Sequence, residues 1–437
     1  MSGPAIVLPS QTRIDALRAL VHPGIDVPLA PAQAGLELSF VVLVGIAVVA
    51  SMVTAWTLGA NSNSPPFAPA IGANAIPTMR AAFLIGVLAA LGAVTQGGSI
   101  SETVGAGLIL GVDFTALAAA AGLLTAATFM GIGIYSGYPI PAAFATTGAM
   151  VGVGLSLGGD PAYATYRRIG TFWVMVPVMS GSVAYGTATL LRRDDVPDRV
   201  GVPLLAAIVG AILANVRIGV IPDPTAEQGT LARLAARWTW SGPQIAAGYD
   251  LGMALATVAL GVGAFLWLRR RMERSVEQGI RTFLLVLGSV VAYSSGGSQV
   301  GLATGPLEFL FSEQLGLPGI VLLVMGGTGI LAGAWMGAPR LLQATAREYA
   351  QLGVRRSIAA LVPGFIIAQL AIALGIPISF NNIILSGVIG GGLSAGSAGV
   401  SRRKIGVTLL FWVLTLVSSM LLGFGLYRVL SAGLGVA

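Results

Sequence analysis

The chain has 437 residues, of which 55% are apolar and only 9% charged, with a formal net charge of +7 from 24 basic and 17 acidic side chains. Ordinary soluble domains carry about 25% charged residues, so this composition excludes a typical soluble protein. The basic excess sits in short clusters between apolar runs, such as Arg269 to Arg274 and Arg402 to Lys404, which orient membrane helices and argue against a nucleic-acid partner. There is no cysteine, and the single histidine, His22, precedes the apolar body. Thiol chemistry, a histidine base and a His/Cys metal cluster are therefore absent from that body, and an enzyme is not expected.

In chain order, residues 1–34 read as a proline-containing N-terminal extension without the apolar core of a signal peptide. Its stretch Ser10 to Val21 fits an amphipathic surface helix and a loosely ordered tail equally well. Apolar runs of about 20 residues, enough for a hydrocarbon core of about 30 Å, then predict spanning helices near 36–58, 80–97, 107–134, 140–158, 170–191, 201–221, 245–268, 280–295, 317–338, 357–375, 383–398 and 405–431. The polar stretch 222–244 connects two halves, 35–221 and 245–437, and carries Trp238 and Trp240, which suit a membrane interface. The arginine-rich end at 269–274 is expected to face the cytoplasm. A multi-pass protein of the cell membrane, in contact with lipid, follows.

Two segments, 59–79 and 296–316, interrupt this pattern. Gly59 to Gly72 reads GANSNSPPFAPAIG and follows the run Leu36 to Leu58. Its prolines remove backbone donors and break the helical ladder. At membrane depth every backbone polar group must be satisfied by protein, so such a break lines a cavity or packs inside protein, as in the broken helices of secondary transporters. Gly296 to Leu307, GGSQVGLATGPL, repeats the situation after Thr282 to Tyr293. Second breaks follow at Pro139 and at Pro377, and Arg167-Arg168 and Arg402-Arg403 open later apolar runs. These landmarks recur in the same order at an offset of about 237 residues, the signature of a duplicated half.

These residues resemble the inorganic phosphate transporter (PiT) family, whose hallmarks are GANDxANxxG in each half and a PxSTTH-type element before a glycine-rich helix. Gly59-Ala60-Asn61 keeps the first hallmark, with Ser62 in place of its Asp. The second copy keeps Gly296, Gly305 and Pro306, with Ser298 opposite Asn61 and Gln299 opposite Ser62. Pro139 to Phe144 and Pro377 to Asn382 stand at the second hallmark. The similarity spans roughly residues 36–430. It implies an all-α polytopic membrane protein of two pseudo-symmetric, inverted repeats with re-entrant or broken helices, working as a symport-type phosphate permease, and a homodimer.

An oxyanion entering a dry site needs hydrogen-bond donors, which broken-helix N-termini and Ser, Asn and Gln side chains supply. Asn61, Ser62, Ser64, Ser298, Gln299, Ser379, Asn381 and Asn382 are the substrate-binding candidates, together with Arg80, which follows the first break and can pair with the anion or snorkel to the interface. Each of the uncharged candidates can also serve as a helix cap or interhelical tie; Thr146 and Thr147 read as ordinary helix residues. Since Ser62 and Gln299 cannot ionise, Na⁺ or H⁺ coupling is expected from Asn61, Ser62 and Glu308. The expected function is a secondary transporter moving an inorganic anion by alternating access, with phosphate first, sulfate as the alternative, and a passive anion channel as the reading from another class.

Overall fold

The computed structural model describes residues 31–63, 65–193, 195–219, 229–246, 248–348, 352–396 and 402–435. The expectations placed on Ser10 to Val21, on His22 and on Ser64 lie outside these residues. Each expected span contains a helix, but those expected at 140–158, 201–221 and 383–398 hold helices of only 15, 17 and 14 residues, and the helix expected over 107–134 begins at Ala116. The first repeated set comprises α1 (Pro31–Asn61), α2 (Ala68–Gly72), α3 (Thr78–Gln96), α4 (Gly98–Ala106), α5 (Ala116–Ser136), α6 (Ala142–Ser156) and α7 (Tyr163–Leu190). Then come α8 (Asp198–Ala214), the short surface helix α9 (Leu231–Trp238) and α10 (Leu251–Arg274). The second set comprises α11 (Val276–Thr304), α12 (Gly319–Met336), α13 (Ala338–Glu348), α14 (Val354–Leu374), α15 (Phe380–Leu393) and α16 (Arg402–Leu434). Among the described residues nine helices are long and apolar enough to cross a membrane, α6 and α15 being shorter apolar pieces. Strand structure there is limited to three two-stranded ladders.

Local sequence sets the boundaries. Helices α3, α8 and α12 each start directly after a proline held in extended backbone, Pro77, Pro197 and Pro318, which cannot continue a helix backwards. The Asp250 side chain accepts from Met253 N at 2.8 Å and caps α10. Helices α5 and α14 have 21 residues each and end on a left-handed glycine, Gly137 (φ 75°) and Gly375 (φ 61°), the conformation glycine adopts without a Cβ penalty. A Pro-Ile pair follows each, then α6 or α15. These matched boundaries lie 238 positions apart.

One expectation needs correction. The second break does not open at Gly296: α11 stays helical through Thr304, and the irregular backbone begins with the 3₁₀ turn Gly305–Leu307 and the π turn Leu310–Gln314. Pro306 is the first proline after the helix start, so no earlier residue lacks its amide donor. In the first half α1 ends at Asn61, and Pro65–Phe67 forms a 3₁₀ turn before α2.

Helix α11 is the axis of the molecule, with every residue from Ser294 to Thr304 buried. It runs antiparallel to α1: Ser51 Oγ donates to Ala303 O at 2.9 Å, while Phe67, beyond the end of α1, lies against Gly288. The halves also exchange partners. On α3, a Cβ at Gly92 would lie 1.8 Å from Tyr293 O, and one at Gly296 would lie 1.8 Å from Ala89 O. On α12, a Cβ at Gly333 would lie 1.9 Å from Trp56 O, and one at Gly59 would lie 2.1 Å from Ile330 O. Each half's broken helix thus packs backbone to backbone on the other half's next helix, the small-residue contact membrane helices use. Large apolar side chains such as Val174 and Val178 on α7, Val258 and Val262 on α10, and Val413 and Leu421 on α16 face outward, a surface that matches lipid.

Candidate anion site at the paired helix breaks

The two breaks and the two Pro-Ile elements meet in the protein interior. Asn61, at the end of α1, donates from Nδ2 to Ile140 O at 2.8 Å. Gln299, on α11, donates from Nε2 to Ile378 O at 2.8 Å. Both bonds span 79 residues, so they are the same tie made once in each half. A third bond joins the halves: Asn381 Nδ2, in the first turn of α15, reaches Ile140 O at 2.7 Å. Phe144 of α6 stacks on Trp173 of α7 with ring centroids 3.9 Å apart, and Trp173 Nε1 donates to Pro377 O at 2.8 Å. The chain entering α6 and the chain entering α15 are therefore held side by side.

The bonds pair Gln299, not Ser298, with Asn61. Both ties run at the 238-position offset that separates Gly137 from Gly375, one position later than the motif alignment. Ser62 and Ser298 play secondary parts: Asn61 Nδ2 also lies 3.3 Å from Ser62 Oγ, and Gln299 Nε2 lies 3.4 Å from Ser298 Oγ. Ser298 Oγ in turn donates to Ser295 O at 3.1 Å.

The set is buried and uncharged. Asn61, Ser62, Asn63, Ser298, Gln299, Ser379, Asn381 and Asn382 are all at most 3% exposed, whereas no charged side chain among the described residues is buried. Several polar atoms of this set find no protein partner: Asn63 Nδ2 and Oδ1, Gln299 Oε1, Ser379 Oγ, Asn381 Oδ1 and Asn382 Oδ1. Native interiors pair nearly all such atoms, so a concentration of orphans marks a place where something else binds. The amide N–H groups of Asn61, Gln299 and Asn381 are engaged by backbone carbonyls, while the amide oxygens of Gln299 and Asn381 are left over. Donors come instead from backbone: α6 and α15 begin here, and the first-turn N–H groups of a helix have no intrahelical partner. The side chain of Ser379, at the N-cap of α15, makes no capping bond.

The remaining candidates stand elsewhere. Arg80 is exposed in the first turn of α3. Glu308 is half-buried beyond Gly305–Leu307, against Gly105 of α4, with Oε2 unpartnered. Residues that sequence reasoning passed over also carry orphan atoms: Thr146 and Thr147 on α6 are buried with unpartnered hydroxyls, and Gln96 at the end of α3 is fully buried with Oε1 unpartnered. The threonines follow the second hallmark, in the helix it opens; nothing in the sequence around Gln96 marks it. Among the described residues no group of three His, Cys, Asp or Glu side chains is placed to hold a metal. A monovalent cation needs no such group, and the orphan amide and hydroxyl oxygens are the neutral ligands that hard cations accept.

Comparison with known proteins identifies the family. The model of the phosphate transporter family matches residues 58–423. The chain belongs to the phosphate transporter family. Relatives include a putative phosphate permease of Chlamydia muridarum, 24% identical over 88% of this chain and 97% of the relative. Another is the chloroplastic inorganic phosphate transporter 2-1 of Arabidopsis thaliana, 24% identical over 83% of this chain and 68% of the relative. The solved structure of a sodium-dependent phosphate transporter superposes with a TM-score of 0.76, at 21% identity, over 90% of this chain and 99% of that one. This phosphate transporter family member is thus a multi-pass membrane protein of the same fold, and a transporter rather than an enzyme.

Proposed function

We propose that the protein is a phosphate permease of the secondary-transporter type, coupled to Na⁺, with the anion held between the N-termini of α6 and α15 and the cation by the orphan oxygens beside it. The observation that carries this reading is the pair of equivalent ties, Asn61 to Ile140 and Gln299 to Ile378, joined by Asn381 across the halves and surrounded by unpartnered buried polar atoms. An isolated anion in a dry site is costly; bringing a cation with it supplies the missing positive charge where the protein offers none. Two halves, 35–221 and 245–437, related by an inverted repeat, with one bundle moving against another to give alternating access, are supported by the antiparallel course of α1 and α11 and by their exchanged glycine contacts. A homodimer belongs to the same proposal and is checked by cross-linking in the membrane.

Phosphate is favoured over sulfate by the leftover acceptors. Hydrogen phosphate carries P–OH groups that need acceptors, and Gln299 Oε1, Asn381 Oδ1 and Asn382 Oδ1 are free to accept. Sulfate brings no proton and would meet those oxygens unfavourably. Uptake of labelled phosphate and sulfate into proteoliposomes under imposed Na⁺ or pH gradients tests the proposal. Saturable phosphate uptake stimulated by inward Na⁺ supports it; sulfate uptake alone, or conductance at channel rates, overturns it. A second reading, proton coupling through Glu308, is favoured by its unpartnered Oε2. Under Na⁺ coupling, Glu308→Gln retains the Na⁺ stimulation; under proton coupling it abolishes the response to a pH gradient.

A further inference from the structure

A cavity of about 460 Å³ opens between α8 and α14, outside the site already described. Its lining includes Ala211, Asn215, Arg217, Ile366, Gln369 and Ala373. At about 30 Å³ per water, it has room for on the order of a dozen waters. Arg217 is exposed at its edge, held by one long contact from Nη1 to Ala373 O at 3.4 Å. The half-buried side chain of Gln369 forms its inner wall, donating from Nε2 to Ser294 Oγ at 2.7 Å. Gln369 Oε1 accepts from Gln96 Nε2 at 3.3 Å, and the same Gln96 amide donates to Arg217 O at 3.1 Å. Ser294 lies one helical turn before Ser298 and five residues before Gln299 on α11. A run of uncharged polar side chains therefore leads from an open cavity to the buried set, and the Gln96 Oε1 atom along it has no partner.

The cavity has a side. Arg217 lies beside the C-terminal end of α14, while Arg355 and Arg356 lie in its first turn, where Arg355 pairs with Asp198. Twenty-one helical residues, about 30 Å, separate those ends. The Arg355 end also gathers Arg192, next to a cleft it shares with Arg356 and Glu277, and the positive-inside bias makes that end cytoplasmic. Arg217 is then the cation at the mouth of an outward-facing cavity.

We propose that this cavity is an outer loading site for the transported oxyanion: Arg217 captures the anion from outside, and the Gln369 amide, bonded to both Ser294 and Gln96, is the gate between the cavity and the buried site. The identity of the anion as phosphate rests on the function proposed above; the location of the loading site does not. An anion at Arg217 sits in front of Gln369, and rotating that one side chain removes both of its bonds together and joins the cavity to the turn carrying Ser298. Apart from Arg217, Gln369 and Asn215 the lining is apolar, so no fixed carboxylate in it repels the anion.

Because the chain has no cysteine, a single introduced thiol reports directly on access. Gln369→Cys, and Ala373→Cys at the rim as a second variant should the first fail to fold, would be expressed in intact cells. An anionic, membrane-impermeant methanethiosulfonate would then be added from outside. The proposal expects labelling from outside, slowed by excess phosphate, and slowed at least about tenfold when Arg217→Gln is added, a loss that shrinks at high salt as screening shortens the reach of the guanidinium. Labelling only by an uncharged membrane-soluble maleimide would mean that the cleft is filled by lipid and overturns the proposal, as does a labelling rate indifferent to Arg217→Gln. Protection by sulfate but not by phosphate leaves the loading site standing and removes phosphate as the substrate; protection by neither overturns anion docking there.

Discussion

A single carbonyl, that of Ile140, accepts from two amides belonging to different halves, Asn61 at 2.8 Å and Asn381 at 2.7 Å. Losing one donor leaves the oxygen bonded; losing both leaves it buried and unsatisfied. A neutral hydrogen bond contributes about 1 kcal/mol net, and an unsatisfied buried group costs about 1–3 kcal/mol. Asn61→Leu and Asn381→Leu are therefore expected to destabilise by about 1 kcal/mol each and the double variant by more than their sum, a coupling that a double-mutant cycle of thermal unfolding in detergent measures. Gln299 gives a sharper check. Its Nε2 lies 2.8 Å from Ile378 O, so Gln299→Asn, one methylene shorter, keeps the chemistry and loses that reach. Phosphate uptake is expected to fall by at least about tenfold, equivalent to about 1.4 kcal/mol; an unchanged rate would remove this tie from the site.

At the scale of elements, the packing of α3 on α11 and of α1 on α12 depends on glycines whose absent side chains let backbones touch. Gly92→Ala or Gly296→Ala would set a methyl 1.8 Å from a carbonyl oxygen of the facing helix, and a backbone cannot yield as a flexible side chain can. Overpacking of this kind costs about 1–3 kcal/mol and sometimes more, and it pushes α3 away from α11, the helix that carries Gln299, so both melting temperature and uptake are expected to drop. Gly263 on α10 is the matched control. A Cβ there meets nothing within 4 Å, so Gly263→Ala is expected to be neutral or to stabilise by up to about 1 kcal/mol through helix propensity.

For the whole molecule, the absence of buried charge among the described residues sets the electrostatics of transport. With only neutral groups lining the candidate site, the proposed Na⁺ coupling would make the cation the main source of compensating charge for the anion. Replacing Na⁺ by K⁺ or choline at constant ionic strength is expected to lower phosphate uptake by about tenfold or more, the equivalent of about 1.4 kcal/mol of lost coupling. Reciprocity requires phosphate to raise the binding affinity for Na⁺ by the same factor by which Na⁺ raises the binding affinity for phosphate; Na⁺ binding titrations at low and high phosphate, and the converse, measure it.

Much of this was legible in the chain itself. Apolar runs of bilayer length fix a polytopic helical protein because lipid offers no hydrogen bonds, and proline and glycine fix where helices stop because their backbone restrictions are local. The recurring landmarks were legible for the same reason: Pro139 and Pro377 break their apolar runs alike, and the left-handed glycines ahead of them, Gly137 and Gly375, came from the structure. The candidate amides, Asn61, Gln299 and Asn381, stood out as polar groups in sequence that otherwise excludes them. Their partners did not, since Ile140 and Ile378 act through backbone carbonyls that every residue possesses. Which amide is equivalent to Asn61, how far α11 runs before it breaks, the placing of Arg80 on the surface, and the joining of Gln96 and Gln369 across 273 positions were decided only by the tertiary structure. Hydrogen bonds between distant segments depend on which helices lie side by side, and no local preference in the chain encodes that.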